Sequence, residues 1–239
     1  MIDCAGAIYS KTDQEVIVVD DGSSDRTPEI LAQWTTRPGF KIVQHALNRG
    51  KGAAVRTGIS HSTGLVTVIQ DADLEYDPSD IPALVAPILE GQAHAVFGSR
   101  YLMPGNHLPW TKFRVAVHLM NGIVRVLYGV RLTDVNTCYK VASTDLYRQL
   151  QLECERFEFC AEVTAKLGRS GLQILEIPIQ YHPRSKAEGK KIGWRDAIEF
   201  ARTLAKWRWK RVHPIHITPV ARVRAVSPPD LAGPILTHS

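Results

Sequence analysis

A chain of 239 residues with 44% apolar and 22% charged residues has the balance of a globular protein, which excludes a disordered or fibrous one. No apolar run reaches the ~18 residues that a membrane-spanning helix needs, and the opening Met1-Ile2-Asp3-Cys4-Ala5 has no basic leader segment. Ten basic against three acidic residues between Arg184 and Arg211 give that segment +7, so the chain's net +5 leaves −2 elsewhere.

Such local basicity needs a local anionic partner: phosphate, a membrane surface or nucleic acid. No helix-turn-helix or zinc pattern supports nucleic acid. Cys4, Cys138, Cys154 and Cys160 lack Cys-x-x-Cys spacing and read as reduced thiols of a cytosolic protein, not as a zinc site or disulfide framework.

In chain order, the β-branched run Val16-Ile17-Val18-Val19 predicts a strand that stops at the acidic turn Asp20-Asp21-Gly22-Ser23-Ser24-Asp25. Thr27-Pro28-Glu29 opens a helix, with Thr27 as N-cap and Pro28 at the first helical position. Lys41-Ile42-Val43 is a second short strand. Asn48-Arg49-Gly50-Lys51-Gly52 is a glycine-rich basic loop leading into a helix from Ala53 to Ser60. Val66, Val68 and Ile69 form a strand that ends in Asp71-Ala72-Asp73, with Glu75 and Asp77 close behind. Asp80 caps a helix running to Glu90, and Ala95-Val96-Phe97 is a strand ending at Gly98-Ser99-Arg100.

Beyond Arg100 the spacing of Phe113, Val117, Met120, Val124 and Leu127 predicts an amphipathic helix over 112–128, with Arg114, His118, Asn121 and Arg125 off the stripe. Thr133 to Thr137 is a polar loop. A helix from Glu158 to Ser170 precedes a strand from Gln173 to Ile177. A helix from Trp194 to Lys210 carries Trp194, Ile198, Ala201 and Ala205 on one face, with Leu204, Trp207 and other apolar residues nearby. The organisation expected is one domain over 1–211, closed by a basic amphipathic helix at 194–211, and a proline-rich disordered tail over 212–239.

Strands alternating with helices predict an α/β fold with a mainly parallel sheet. Ligands gather at the carboxyl ends of such strands. Asp20-Asp21, Asp71-Ala72-Asp73 and Ser99-Arg100 all fall on that edge. Alone, so short a motif as Asp-x-Asp fits a solvated acidic loop. Three strand ends carrying polar groups point instead to a site, where paired carboxylates suit a hard divalent cation shared with substrate phosphates.

The ordered series Val18 to Thr27, Asn48 to Gly52, Asp71-Ala72-Asp73 and Gly98-Ser99-Arg100-Tyr101 resembles family 2 glycosyltransferases of the GT-A fold. Asp134 to Lys140, Glu155 to Phe159 with Glu162, and Ala187 to Trp194 are similar to their polyprenyl-phosphate branch, the dolichyl-phosphate mannosyltransferases and undecaprenyl-phosphate glycosyltransferases. The resemblance covers about residues 16 to 205. It implies a Rossmann-like sheet flanked by helices. The family's usual first strand, with its Pro-x-Tyr-Asn-Glu type motif, has no counterpart before Val16.

The resemblance further implies inverting transfer of a hexose from a UDP- or GDP-linked donor to a polyprenyl phosphate, assisted by Mg2+ or Mn2+. Asp73 is then the principal metal ligand, with Asp71 on the ribose or metal and Glu75 a third candidate. Asp21 accepts from the base and Lys51 reaches the donor phosphate. Arg100 and Arg114 suit the acceptor phosphate, because a guanidinium grips phosphate through paired hydrogen bonds. Asp134 is a base, a sugar-hydroxyl contact or a loop cap. The basic helix 194–211 suits peripheral attachment to the cytoplasmic face of an anionic membrane. The rivals are a phosphotransferase with Asp71 as nucleophile and a truncated, non-catalytic nucleotide-binding module.

Overall fold

The computed structural model describes residues 14–106, 112–183 and 194–217. The first-strand expectation, the motif from Ala187 to Gly193 and the tail beyond 217 lie outside them.

Strand β1 (Val16–Asp20) pairs in parallel with β2 (Phe40–Gln44), from Val16 opposite Phe40 to Asp20 opposite Gln44. Between them helix α1 (Thr27–Ala32) begins one residue earlier than the capping pattern predicts, with Arg26 as N-cap. Asp25 takes the capping role by accepting from the Thr27 amide at 2.9 Å. Helix α2 (Lys51–His61) follows and packs against β1.

The second sheet has the order β3 (Val66–Val68), β5 (Lys140–Ser143), β4 (Ala95–Ser99), β6 (Ile174–Pro178). β4 and β6 run parallel, from Ala95 opposite Ile174 to Ser99 opposite Pro178. β5 runs antiparallel to both β3 and β4. The α/β class holds, and the sheet is more mixed than the strand–helix alternation predicts. The reason is β5: four residues opening on a lysine carry no strand signature. Its reversal brings the loop before it, 133–139, to the carboxyl edge of β3 and β4.

Helices α3 (Ile81–Leu89), α4 (Lys112–Tyr128), α5 (Thr144–Gln149), α6 (Phe159–Arg169) and α7 (Trp194–Trp209) complete the described chain. β4 is wholly buried, and Val96, Phe97, Leu84 and Ile88 meet Val124, Tyr139, Val141 and Leu167 in one core. On α4, Val117 and Val124 face inward as the periodicity predicts.

Helix α7 turns a different face inward from the one expected. Phe200, Leu204 and Trp207 are buried, whereas Ile198 is exposed. Trp207 covers the Lys166 ammonium at 3.8 Å from the ring centre, and the Arg169 guanidinium donates to the carbonyls of Trp207, Arg208 and Lys210, closing the helix's C-terminus. The packed chain also runs past residue 211. Val212 and Ile215 join the core's margin. The Gln149 side-chain amide brackets His216, donating to its carbonyl at 2.8 Å and accepting from its amide at 2.7 Å. No described helix is long and apolar enough to cross a membrane.

Candidate active site

The carboxyl edge is assembled from loops after β1, β3 and β4 and the loop before β5. At β1, Asp21 bonds the loop that leads into α2. Its carboxylate accepts from the amides of Arg49 at 2.9 Å and Gly50 at 2.7 Å, and lies 2.7 Å from His45 Nδ1. Burial alone would raise its pKa; the Arg49 amide, His45 and the Gly50 amide outweigh burial and lower it.

The glycines of that loop answer to close approach. Gly50 has φ +95°, and a Cβ there would lie 2.4 Å from the Glu155 carbonyl; one on Gly52 would lie 2.9 Å from the Arg156 carbonyl. The 153–156 segment they meet is itself tied down. Both oxygens of buried Glu162 accept from the amides of Glu153 and Cys154, and Glu158 accepts from those of Glu155 and Arg156. Glu162 also pairs with Lys166 at 2.7 Å.

Helix α2 then delivers Lys51 to the Asp-x-Asp loop, where its ammonium lies 2.5 Å from Asp71 Oδ2. Both side chains stay about a quarter exposed, at 22% and 27%. Burial opposes the Lys51 charge, but Cys138, Asp71 and Cys160 around it outweigh that and hold its pKa above the ordinary lysine value. Cys138, Cys154 and Cys160 are free thiols. Asp73 is half-buried, and its Oδ1 accepts from the Glu75 amide at 3.1 Å. Leu74, between them, has φ +60°.

Among the described residues no three His, Cys, Asp or Glu side chains converge as a ready-made metal cage. Asp71 and Asp73 do fit a hard cation of another kind. They are partly exposed oxygen donors one residue apart, suited to an ion that takes one or two carboxylates and completes its shell with substrate phosphate and water. Glu75 differs from both: it is buried and bonded to Tyr181.

At β4, Arg100 and Asp134 form a buried, two-pronged pair. Nε lies 2.6 Å from Oδ2 and Nη2 lies 2.8 Å from Oδ1. Arg100 is 6% exposed and Asp134 not at all. Burial opposes the guanidinium's charge, and Asp134 more than offsets it. Asp134 is thus engaged in holding Arg100. Arg114 on α4 is half-buried, its guanidinium 5.6 Å from the centre of the Tyr101 ring.

Several residues to which the sequence assigned no role hold this corner. Glu176 accepts from the amides of Thr133 at 2.7 Å and Asp134 at 3.0 Å. Asn121 donates to the Thr133 carbonyl and accepts from the Val135 amide. The buried Lys140 ammonium donates to the carbonyls of Val135 at 2.9 Å and Thr137 at 2.7 Å, and burial lowers its pKa. Glu176 carried a signal: it is the lone charge in the strand Ile174-Leu175-Glu176-Ile177, where an unpartnered carboxylate is costly.

An α/β sheet that gathers carboxylates, a lysine and arginines along one edge has the chemistry to take phosphate groups and a cation. Residues 4–149 match the family described as Glycosyl transferase family 2, and the chain belongs to that family. It is 31% identical over 185 residues to the low-salt glycan biosynthesis hexosyltransferase Agl6 of Haloferax volcanii, covering 75% of this chain and 43% of that protein. Over 179 residues it is 31% identical to the undecaprenyl-phosphate 4-deoxy-4-formamido-L-arabinose transferase of Edwardsiella ictaluri, with coverages of 74% and 52%. Against the dolichol-phosphate mannosyltransferase of Pyrococcus furiosus the identity is 28% over 199 residues, covering 81% and 55%. The chain spans about half the length of these relatives.

Among solved structures, glucosyl-3-phosphoglycerate synthase from Mycobacterium tuberculosis, in complex with Mn2+, UDP and phosphoglyceric acid, aligns with a TM-score of 0.63 at 20% identity, over 93% of this chain and 82% of that one. TarS from S. aureus in complex with UDP-GlcNAc aligns at 0.54 and 16%, over 87% and 61%. These likenesses establish the GT-A fold.

Proposed function

We propose that the chain is an inverting glycosyltransferase that moves a hexose from a UDP- or GDP-linked donor to a polyprenyl phosphate. The observation that carries this reading is the 2.5 Å contact between Lys51 and Asp71, which brings the glycine-rich loop and the Asp-x-Asp loop together at one edge of the sheet. The polyprenyl-phosphate relatives support the acceptor class, and the UDP-bound GT-A neighbours support the donor class.

In this reading the acceptor's phosphate oxygen attacks the anomeric carbon while the bond from that carbon to the donor diphosphate breaks. The diphosphate leaves with the electron pair. Because the attacking oxygen is already anionic, positioning and charge relief matter more than a general base. Asp73 and Asp71 would hold Mg2+ or Mn2+, which supplies charge neutralisation to the leaving diphosphate. Lys51, held charged, adds a point charge on the same side. Asp21 acts on the nucleotide side by fixing the amides of Arg49 and Gly50. Arg114 reaches the acceptor phosphate. Arg100, held by Asp134, orients that edge and offers its remaining N–H groups. The site suits a peripheral position at a membrane: on α7, Trp209 is 83% and Ile198 41% exposed, with exposed Arg202 and Arg208 beside them.

The test is transfer from a panel of UDP- and GDP-sugars to undecaprenyl and dolichyl phosphate, with Mn2+ or with chelator. Wild-type protein should give a chelator-sensitive lipid-linked sugar, and Asp73→Ala should lower the rate by ~100-fold or more while unfolding at the same urea concentration. Mn2+-dependent UDP or GDP binding without transfer would favour the non-catalytic nucleotide-binding module, and absence of both would overturn the reading.

A further inference from the structure

Glu75 stands two residues beyond Asp73 in the same loop, yet it turns the other way. It is 8% exposed, whereas Leu74 beside it is 58% exposed. Its Oε2 accepts from the Tyr181 hydroxyl at 3.1 Å, and its backbone carbonyl accepts from the His182 amide at 2.9 Å. Tyr181 is itself seated: its amide donates to Asn106 Oδ1 at 3.1 Å, its ring centre lies 5.0 Å from the Arg100 guanidinium, and its backbone bridges to Tyr76. Burial pushes the Tyr181 phenol up to about 12, so it remains a hydrogen-bond donor through neutral pH. On its other side, the Glu75 amide donates to Asp73 Oδ1. Leu74 between the two holds φ +60°, a conformation that a bulky side chain keeps only when its surroundings impose it.

We propose that Glu75 is a positioning residue: held by Tyr181, it sets the left-handed turn at Leu74 and so aims the Asp73 carboxylate. What position 75 supplies in this role is a hydrogen-bond acceptor for Tyr181. The strand-end segment after β6 thereby fixes the loop after β3, although more than a hundred residues separate Glu75 from Tyr181 in the chain. The consequence for cation binding rests on the reading of Asp71 and Asp73 given above; the geometry of the turn does not.

The experiment compares wild type, Tyr181→Phe, Glu75→Ala and Glu75→Gln. Glutamine keeps an acceptor oxygen for the phenol. In metal-free protein, Tyr181→Phe and Glu75→Ala should each speed amide hydrogen exchange at Glu75 and His182 by ~10-fold. With UDP present, both should weaken Mn2+ binding measured by calorimetry by ~10-fold, the scale for groups that orient a ligand, while Glu75→Gln stays within about threefold. If Tyr181→Phe leaves exchange and Mn2+ affinity at wild-type values, or if Glu75→Gln is as damaging as Glu75→Ala, the proposal is overturned. Should Glu75→Ala fail to fold, Tyr181→Phe carries the comparison alone. If wild type binds no Mn2+ with UDP, the cation reading fails, and the exchange rates still decide the role of Glu75.

Discussion

Asp134 commits both carboxylate oxygens to Arg100 inside the protein, so removing either partner strands a buried charge. Asp134→Ala should cost ~3–5 kcal/mol of stability in urea denaturation. The double variant Asp134→Leu with Arg100→Met should recover most of that stability without restoring transfer. Recovery of activity would show that the pair serves folding alone. Arg100 and Asp134 were each visible in the sequence as polar residues at loop positions. Their bond was not, because it depends on the reversed strand β5 carrying the 133–139 loop to the end of β4. Asp21 illustrates the same limit: its place at a strand end was legible, whereas its partners at positions 45, 49 and 50 arise from the parallel pairing of β1 with β2.

At the scale of elements, helix α2 starts where two glycines let it press against the 154–156 backbone. Gly50→Ala would force a Cβ to 2.4 Å from a carbonyl oxygen at φ +95°, whereas Gly91, also left-handed at φ +72°, has nothing within 4 Å of such an atom. Gly91→Ala should therefore cost ~1–2 kcal/mol from conformation alone. Gly50→Ala should cost more and should also weaken UDP binding; equal losses at the two sites would deny the close approach. Helix α7 was legible in extent, whereas which of its apolar residues turn inward was not. With tryptophans at 194, 207 and 209, its sequence supports two apolar stripes. The choice was made by Lys166 and Arg169 on α6, which engage Trp207 and the helix's end.

That orientation also sorts the basic residues of α7. Lys206 and Lys210 lie within reach of Glu153, at 3.1 and 2.5 Å, so much of their charge is answered within the protein. Trp209→Ala with Arg208→Ala should reduce flotation with anionic liposomes by ~5-fold or more, and Lys206→Ala should do less, since each juxtamembrane basic residue contributes ~1 kcal/mol. Equal flotation on neutral and anionic liposomes would remove the electrostatic part of the attachment.

Over the whole molecule, the polar strand-end loops gather at one edge even though the second sheet is partly antiparallel. They do so because β5 enters the sheet from that edge, so its preceding loop joins those that leave β3 and β4 there. The class of fold, and which polar strand ends share an edge, could be read from motif order alone. The partners of Glu176, Tyr181 and Asn121 could not, since each is met across a turn of the chain that no local pattern records.

The bracket that Gln149 places on His216 has a practical side. Ile217 borders a cavity with His94 and Ser143, which lie at the ends of β4 and β5 opposite to Ser99 and Lys140. Described backbone thus departs from the underside of the sheet, away from the carboxylate loops. Protein anchored to a bead through a cysteine introduced at His216→Cys should keep its nucleotide edge turned to the bulk solution and capture UDP as free protein does. Anchorage through Leu102→Cys, beside Arg100, should block that capture. A biosensor trace in which both orientations bind UDP alike would contradict the two-sided layout.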